Sequence, residues 1–231
     1  TLEASLHVPR NSAKAPDKYG FELKSFKPGG RSSLMPPTAD LGIEGAMSFR
    51  DFMSNYGWPG ARHPGRTVFN GTYKYHVPRP TPRGHVYTLD LQGFIDSLEE
   101  LDPECTQALV GLLADEPDQL VSGWSFEKLL NGWNSKHSSA CYVEYQKRPY
   151  SGSGNAHDAE YRFTGRLLVC EGTSIWNYLK GIAAKTVYYD PAHEVRAEGE
   201  PKQRPQWRLS VTRRFRETLE TLYERVDEMT D

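Results

Sequence analysis

The run "APDKYGFELKSFK", residues 15–27, crowds two carboxylates and an ammonium around a short strand-like stretch. In "YGFELKSF" the alternation of a strand turns Phe21, Leu23 and Ser25 to one face and Glu22, Lys24 and Phe26 to the other. Asp17 lies in the loop before it, where Pro16 holds Ala15 out of the helical region, and from that loop it folds back beside Glu22 and Lys24. Two carboxylates held together repel unless a positive charge separates them, and a hard divalent cation such as Mg²⁺ prefers oxygen ligands of this kind. The carbonyl of Leu23, between Glu22 and Lys24, offers a third oxygen. A metal so bound activates a water and neutralises charge on a phosphoryl oxygen, while Lys24 orients that water and steadies the developing charge. This is the chemistry of phosphodiester hydrolysis. A surface ion pair between Glu22 and Lys24 accounts for the same residues at less expense, so the rest of the chain has to decide.

With 231 residues the chain can bury a sizeable core, and the expectation is one domain over residues 1–231. Hydrophobic residues at 37% and charged residues at 25% fit a polar-surfaced globular protein and exclude a disordered one. No apolar run approaches a membrane span and no signal peptide is visible, so the chain reads as intracellular, with a cytoplasmic location expected. Cys105, Cys141 and Cys170 are odd in number and lack C-x-x-C spacing, so they read as buried small residues and not as disulfide or zinc partners.

A net charge of −2 hides a segregation. Between Arg50 and Arg83 the cations Arg50, Arg62, Arg66, Lys74, Arg79 and Arg83 meet only Asp51, and Tyr56, Trp58, Phe69, Tyr73 and Tyr75 lie among them. That composition faces a polyanion, or else is a solvated face. His63, His76 and His85 sit in a Pro-rich stretch without metal-ligand spacing, and Trp124, Phe126, Trp133 and Trp176 read as core.

Along the chain, "TLEASL" reads as the end of a helix, and an opening Thr1 without Met implies more chain upstream. Helical spacing covers 42–56, and Asn70-Gly71 predicts a hairpin in "TVFNGTYKYHV". "HVYTLDLQ" is a strand; "GFIDSLEEL", "CTQALVGLLA" and "SFEKLLNGWNSK" follow as helices, the last capped by Ser125. Strands are expected at "ACYVEYQKR", "YRFTGRLLVC", "KTVYYDP" and "PQWRLSVTR", a helix at "SIWNYLKGI", and a closing amphipathic helix at "RETLETLYERVDEM". Intermixed strands and helices give an α/β class.

The opening run "TLEASLHVPRNSAKAPDKYGFELKS" resembles the start of the MvaI/BcnI family of restriction endonucleases, within the PD-(D/E)xK superfamily. There a helix end carrying Glu leads through an Asn-containing loop to "PD" and a strand bearing E-x-K. "SSLM", "FMSNYG", "GWSFEKLLN", "YRFTGRLLVCEGTSIWNYLKGI" and "QWRLSV" are similar, in order, to later family segments. The resemblance implies a restriction-endonuclease-like fold, a central mixed sheet flanked by helices, with Asp17 and Glu22 as metal ligands, Lys24 as catalytic lysine and Glu3 as an assisting acid. In a member of the family an arginine of the "QWRLSV"-type strand reads guanine, which by position implies Arg208; an Arg fork matches guanine's major-groove acceptors. The family's "HDHG" stretch is replaced here by "EPKQRP". Tyr189, Asp190, His193, Arg196 and Arg204 remain as base- or phosphate-contacting candidates, although Arg208 beside Trp207 is equally a solvent-facing Arg next to a buried ring.

The function so implied is Mg²⁺-dependent, site-specific hydrolysis of double-stranded DNA at a short GC-rich target of the CCWGG kind. The resemblance also implies a monomer with one catalytic centre. Some relatives carry an N-terminal B3-like DNA-binding domain, and a chain opening at "TLE" fits their catalytic half. Two alternatives stand beside this reading: a nicking endonuclease of the MutH kind, and a DNA-binding module with a decayed site.

Overall fold

The computed structural model describes residues 17, 19–61, 64–94, 109–115, 119–149, 159–198 and 200–230. In chain order it contains β1 (Glu22–Phe26), β2 (Arg31–Ser33), α1 (Gly42–Ala46), α2 (Phe49–Tyr56), β3 (Trp58–Pro59), β4 (Arg66–Asn70), β5 (Arg79–Pro80), β6 (Val86–Leu91), β7 (Val110–Ala114) and β8 (Gln119–Trp124). It continues with α3 (Phe126–His137), β9 (Ser139–Pro149), β10 (Ala159–Glu171), α4 (Ile175–Ala183), β11 (Val187–Tyr189), β12 (Ala192–Arg196), β13 (Trp207–Ser210), α5 (Phe215–Glu220) and β14 (Arg225–Met229). This is the expected mixed α/β class, with several sheets and few helices. None of the helices among the described residues is long and apolar enough to cross a membrane.

The chain divides into two compact units, one of residues 1–32, 133–177 and 210–231, the other of 33–132 and 178–209. The first is built on a mixed sheet in the order β1-β9-β10-β14. β1 runs parallel to β9, with Glu22 beside Ala140 and Lys24 beside Tyr142, and β10 is antiparallel to both β9 and β14. One face of this sheet buries Leu23 and Val143 against Cys141 and Leu167. The other carries Phe26, Tyr142, Leu168, Cys170 and Val226, covered by Phe215, Leu219, Leu222 and Tyr223. Ring centroids lie 4.8 Å apart for Phe26–Phe215 and 5.5 Å for Tyr142–Phe215, contacts that add about 1 kcal/mol each to the apolar burial.

The closing segment departs from the expected helix. Leu219, Leu222, Tyr223 and Val226 do fall at helical spacing, but α5 ends at Glu220 and the chain turns, with Glu224 N–H donating to the carbonyl of Gly172 at 2.7 Å. Residues 225–229 then pair with β10, placing Val226 beside Cys170. A sheet edge offered more burial and backbone hydrogen bonding than another turn of helix.

The second unit holds the sheet β5-β6-β7-β8, the sheet β12-β4-β3 and the antiparallel pair β11-β13. Its core is aromatic: Phe52, Phe69, Tyr73, Tyr87, Trp124, Tyr178, Tyr189 and Trp207 are all essentially inaccessible. Trp58, Phe69 and Tyr73, read in the sequence among the basic residues as a polyanion-facing set, are thus core rings; Tyr56 and Tyr75 are half-buried. Trp124 and Trp133 are buried as expected, while Phe126 and Trp176 are only partly covered.

Three further expectations change here. The helical spacing over 42–56 is broken into α1 and α2, because Ser48 leaves the helix to cap Asp51 N–H with its hydroxyl at 3.2 Å. "VGLLA" is not helical but the strand β7, paired on both sides, and its continuous apolar run belongs to a central strand. Asn70-Gly71 does not close a hairpin: β4 pairs with β3 and β12, and Tyr73 bridges to Tyr189. Ser125 does cap α3, accepting from Lys128 N–H at 3.3 Å, and Asp40 in turn binds Ser125. The expected helix end "TLEASL" and most of "GFIDSLEEL" lie outside the described residues.

Candidate active site

Tyr19 and Gly20 both take left-handed backbone, with φ of 52° and 82°, and the chain reverses there just ahead of β1. The reversal returns Asp17 to the strand, where its Oδ2 accepts the backbone N–H of Leu23 at 3.0 Å. Within an extended strand the N–H and C=O of one residue point to the same side. Among the described strands β1 ends its sheet, so with its N–H spent on Asp17 and not on β9, Leu23 turns its carbonyl to the same side as Asp17. The alternation read from the sequence is present: Glu22, Lys24 and Phe26 share one face and Leu23 the other.

Glu22 is 4% exposed. Its Oε1 accepts from Lys24 Nζ at 2.7 Å, and its Oε2 lies 3.6 Å from Lys136 Nζ. Oε2 is buried and has no hydrogen-bond donor among the described residues. A buried carboxylate oxygen left so is destabilising by about 1–3 kcal/mol or more unless a cation completes it. The structure therefore joins Asp17 to the Leu23 backbone and Glu22 to Lys24 on adjoining positions of one strand; Glu3 lies outside the described residues.

Lys136 carries no signal in the sequence beyond its place in the last turn of α3, where cations complement the helix dipole. It reaches Glu22 because β9 starts directly after α3 and the parallel register sets Ala140 beside Glu22.

No group of three or more His, Cys, Asp or Glu side chains suited to a metal occurs among the described residues. At this corner the oxygens offered by the described residues are the carboxylates of Asp17 and Glu22 and the Leu23 carbonyl, with Glu22 Oε2 without a hydrogen-bond donor among them. That set suits a hard divalent cation which keeps several waters, as Mg²⁺ does, and fits poorly with zinc.

The six residues singled out for DNA contact lie in the second unit. Arg208 follows buried Trp207 on β13, half-exposed, its Nε 3.0 Å from Asp190 Oδ2 in an ion pair without hydrogen-bond alignment, while its guanidinium also donates to Gln206. Asp190 is anchored by its N–H to the carbonyl of Gln206 at 2.7 Å. Arg196 is exposed and paired with Glu194 at 2.6 Å, and Arg204 is exposed.

Tyr189 and His193 are placed differently. Tyr189 packs against Trp124 and Trp207, and His193 is 1% exposed. The N–H of Arg204 donates to His193 Nδ1 at 2.8 Å, so Nδ1 is unprotonated and the ring proton sits on Nε2. Nε2 lies 3.3 Å from both Glu44 Oε1 and the Tyr189 hydroxyl. Glu44 also accepts from Ser122 at 2.6 Å and from Gln203 at 3.0 Å. In this arrangement neither Tyr189 nor His193 presents a side chain to a ligand; they tie residues 203–204 to α1, a linkage that residue type alone did not signal.

Carboxylate and carbonyl oxygens beside a lysine on a strand of a mixed sheet are the residue types that a hydrolase of the nuclease class uses. The sequence profile of the MvaI/BcnI restriction endonuclease family matches residues 1–217, and the chain belongs to that family: it is a type II restriction endonuclease, a site-specific DNA endonuclease. Among solved structures it is similar to restriction endonuclease MvaI in a complex with cognate DNA, at 15% identity and a TM-score of 0.73, covering 99% of this chain and 85% of that one. It is similar also to MvaI in the absence of DNA, at 14% identity and a TM-score of 0.56, covering 99% and 83%. No curated protein sequence matches it.

Proposed function

We propose that the enzyme hydrolyses double-stranded DNA with Mg²⁺ at a short GC-rich site of the CCWGG kind, acting in the cytoplasm as a monomer that cuts each strand in turn. The observation that carries the metal reading is Glu22 Oε2, buried without a donor, one strand position from the backbone that Asp17 clasps. Asp17, Glu22 and the Leu23 carbonyl would hold the ion, which when bound supplies an activated water and charge neutralisation at a phosphoryl oxygen. Lys24 fixes Glu22 through Oε1 and holds an ammonium on the same strand face, placed to orient the attacking water and to balance negative charge as it develops. Glu3 is assigned the assisting role that the family resemblance gives it.

Recognition is assigned to the second unit. Arg208, braced by Asp190 and Gln206, is preset as a fork for guanine. Arg196 and Arg204, both exposed, supply phosphate contacts, whereas Tyr189 and His193 act by holding this region in place. The likeness to a structure of MvaI with its cognate DNA supports duplex DNA as the substrate.

The test is digestion of a long DNA of known sequence with Mg²⁺, followed by mapping of the ends and a time course on a plasmid. Defined ends at one short GC-rich sequence, abolished by a chelator and restored by Mg²⁺, are expected. Open-circular product that never becomes linear would favour the nicking alternative, and intact DNA across salt and metal conditions would refute the proposal.

A further inference from the structure

The two oxygens of Glu22 are held by different lysines in different ways. Lys24 makes a 2.7 Å hydrogen bond to Oε1, whereas Lys136 stands 3.6 Å from Oε2, an ion pair without a hydrogen bond. Oε2 is the oxygen left for a metal, and the ammonium of Lys136 is therefore on the side from which a cation has to approach. Lys136 is also the looser of the two, a flexible stem at a helix end with 26% of its side chain exposed. Among the described residues Asp17 and Glu22 carry two negative charges and Lys24 and Lys136 two positive ones, so a divalent ion entering this balanced set gains little net attraction until one ammonium leaves.

Resting on the reading of this corner as a metal site, we infer that Lys136 takes the metal's place on Glu22 in the metal-free protein and moves onto a DNA phosphate when the ion binds. The phosphate supplies the counter-charge that the displaced ammonium loses. Ion and DNA then strengthen each other's binding by the same factor, as linkage requires. Lys136 is in this sense a positioning residue: it withholds the metal until the substrate is present.

The test is calorimetric titration of Ca²⁺ into the whole chain without DNA. It is paired with anisotropy titration of a duplex carrying the mapped cut site, with and without Ca²⁺, for the parent, Lys136→Met and Lys136→Arg. Lys136→Met is expected to bind Ca²⁺ about tenfold more tightly without DNA, and the factor by which Ca²⁺ strengthens DNA binding should shrink correspondingly. Lys136→Arg, which keeps the charge, should behave as the parent. Unchanged or weaker Ca²⁺ binding in Lys136→Met, or an Arg variant that follows the Met variant, overturns the inference. Glu22→Gln separates the two levels: if it too leaves Ca²⁺ binding unchanged, or the parent binds none in either state, the metal site itself fails. A response at Glu22 with none at Lys136 overturns the placeholder alone.

Discussion

Asp17 Oδ2 accepts the backbone N–H of Leu23 at 3.0 Å, joining the loop before β1 to the edge of the strand whose next side chains are Glu22 and Lys24. One hydrogen bond thus sets the separation of the two carboxylate-bearing segments and turns the Leu23 carbonyl toward the same side. It also makes Asp17 a clasp in addition to the metal ligand proposed for it.

The two roles separate by substitution. Asp17→Ala loses the charge and the acceptor, while Asp17→Asn keeps an oxygen for Leu23 N–H. Single-turnover cleavage should fall about 10- to 100-fold in both. Thermal unfolding should shift measurably only in the Ala variant; equal unfolding shifts in the two would mean that the clasp does not depend on the acceptor.

Gly20 isolates the backbone contribution. Its φ is 82° and, its chain neighbours aside, none of the described residues lies within 4 Å of where a Cβ would stand, so Gly20→Ala meets strain and no clash with them. That strain is about 1 kcal/mol, and relief by relaxing the turn would move Asp17. Cleavage rate is expected to drop several-fold with DNA affinity unchanged, as read by single-turnover kinetics beside anisotropy.

How far the sequence reveals this site is set by range. Asp17, Glu22 and Lys24 are legible because strand alternation and a local turn are enough to bring them together. Lys136 is not, since only the parallel pairing of β1 with β9 delivers it to Glu22. The same limit explains β7 and β14. Val110–Ala114 is apolar at every position because strands flank it on both sides, and Val226 fits a helical stripe as well as it fits its place beside Cys170. His193 has the residue type of a reader, yet long-range burial with Glu44 makes it a brace.

Arg208→Ala should relax discrimination at one guanine by about 1–3 kcal/mol, with little change in binding to unrelated DNA. Asp190→Asn, which leaves the fork without its brace, should weaken the same discrimination to a smaller degree. Competition binding with single-base variants of the mapped site reads both; a uniform loss across all sequences would make Arg208 a phosphate contact instead.

Glu44 gives the stability a pH dependence. Burial alone would raise its pKa, but the hydrogen bonds from His193, Ser122 and Gln203 prevail and hold it below the ordinary 4.5. A carboxylate with a lowered folded-state pKa stabilises fully above its unfolded value, and that contribution is lost as pH falls through the lowered one. Urea midpoints of the parent should decline as pH drops below about 4.5, and Glu44→Gln should lack this component while being less stable at neutral pH.

The most direct trial of the catalytic centre is Lys24→Ala, followed by anisotropy binding in Ca²⁺ and single-turnover cleavage in Mg²⁺ on the same duplex. The expected result is DNA affinity within about twofold of the parent and cleavage reduced by at least about 100-fold, the scale on which removing one transition-state donor acts. Cleavage at the parental rate, or a loss of binding that accounts for the whole loss of cleavage, would contradict the role assigned to this lysine and with it the proposed centre.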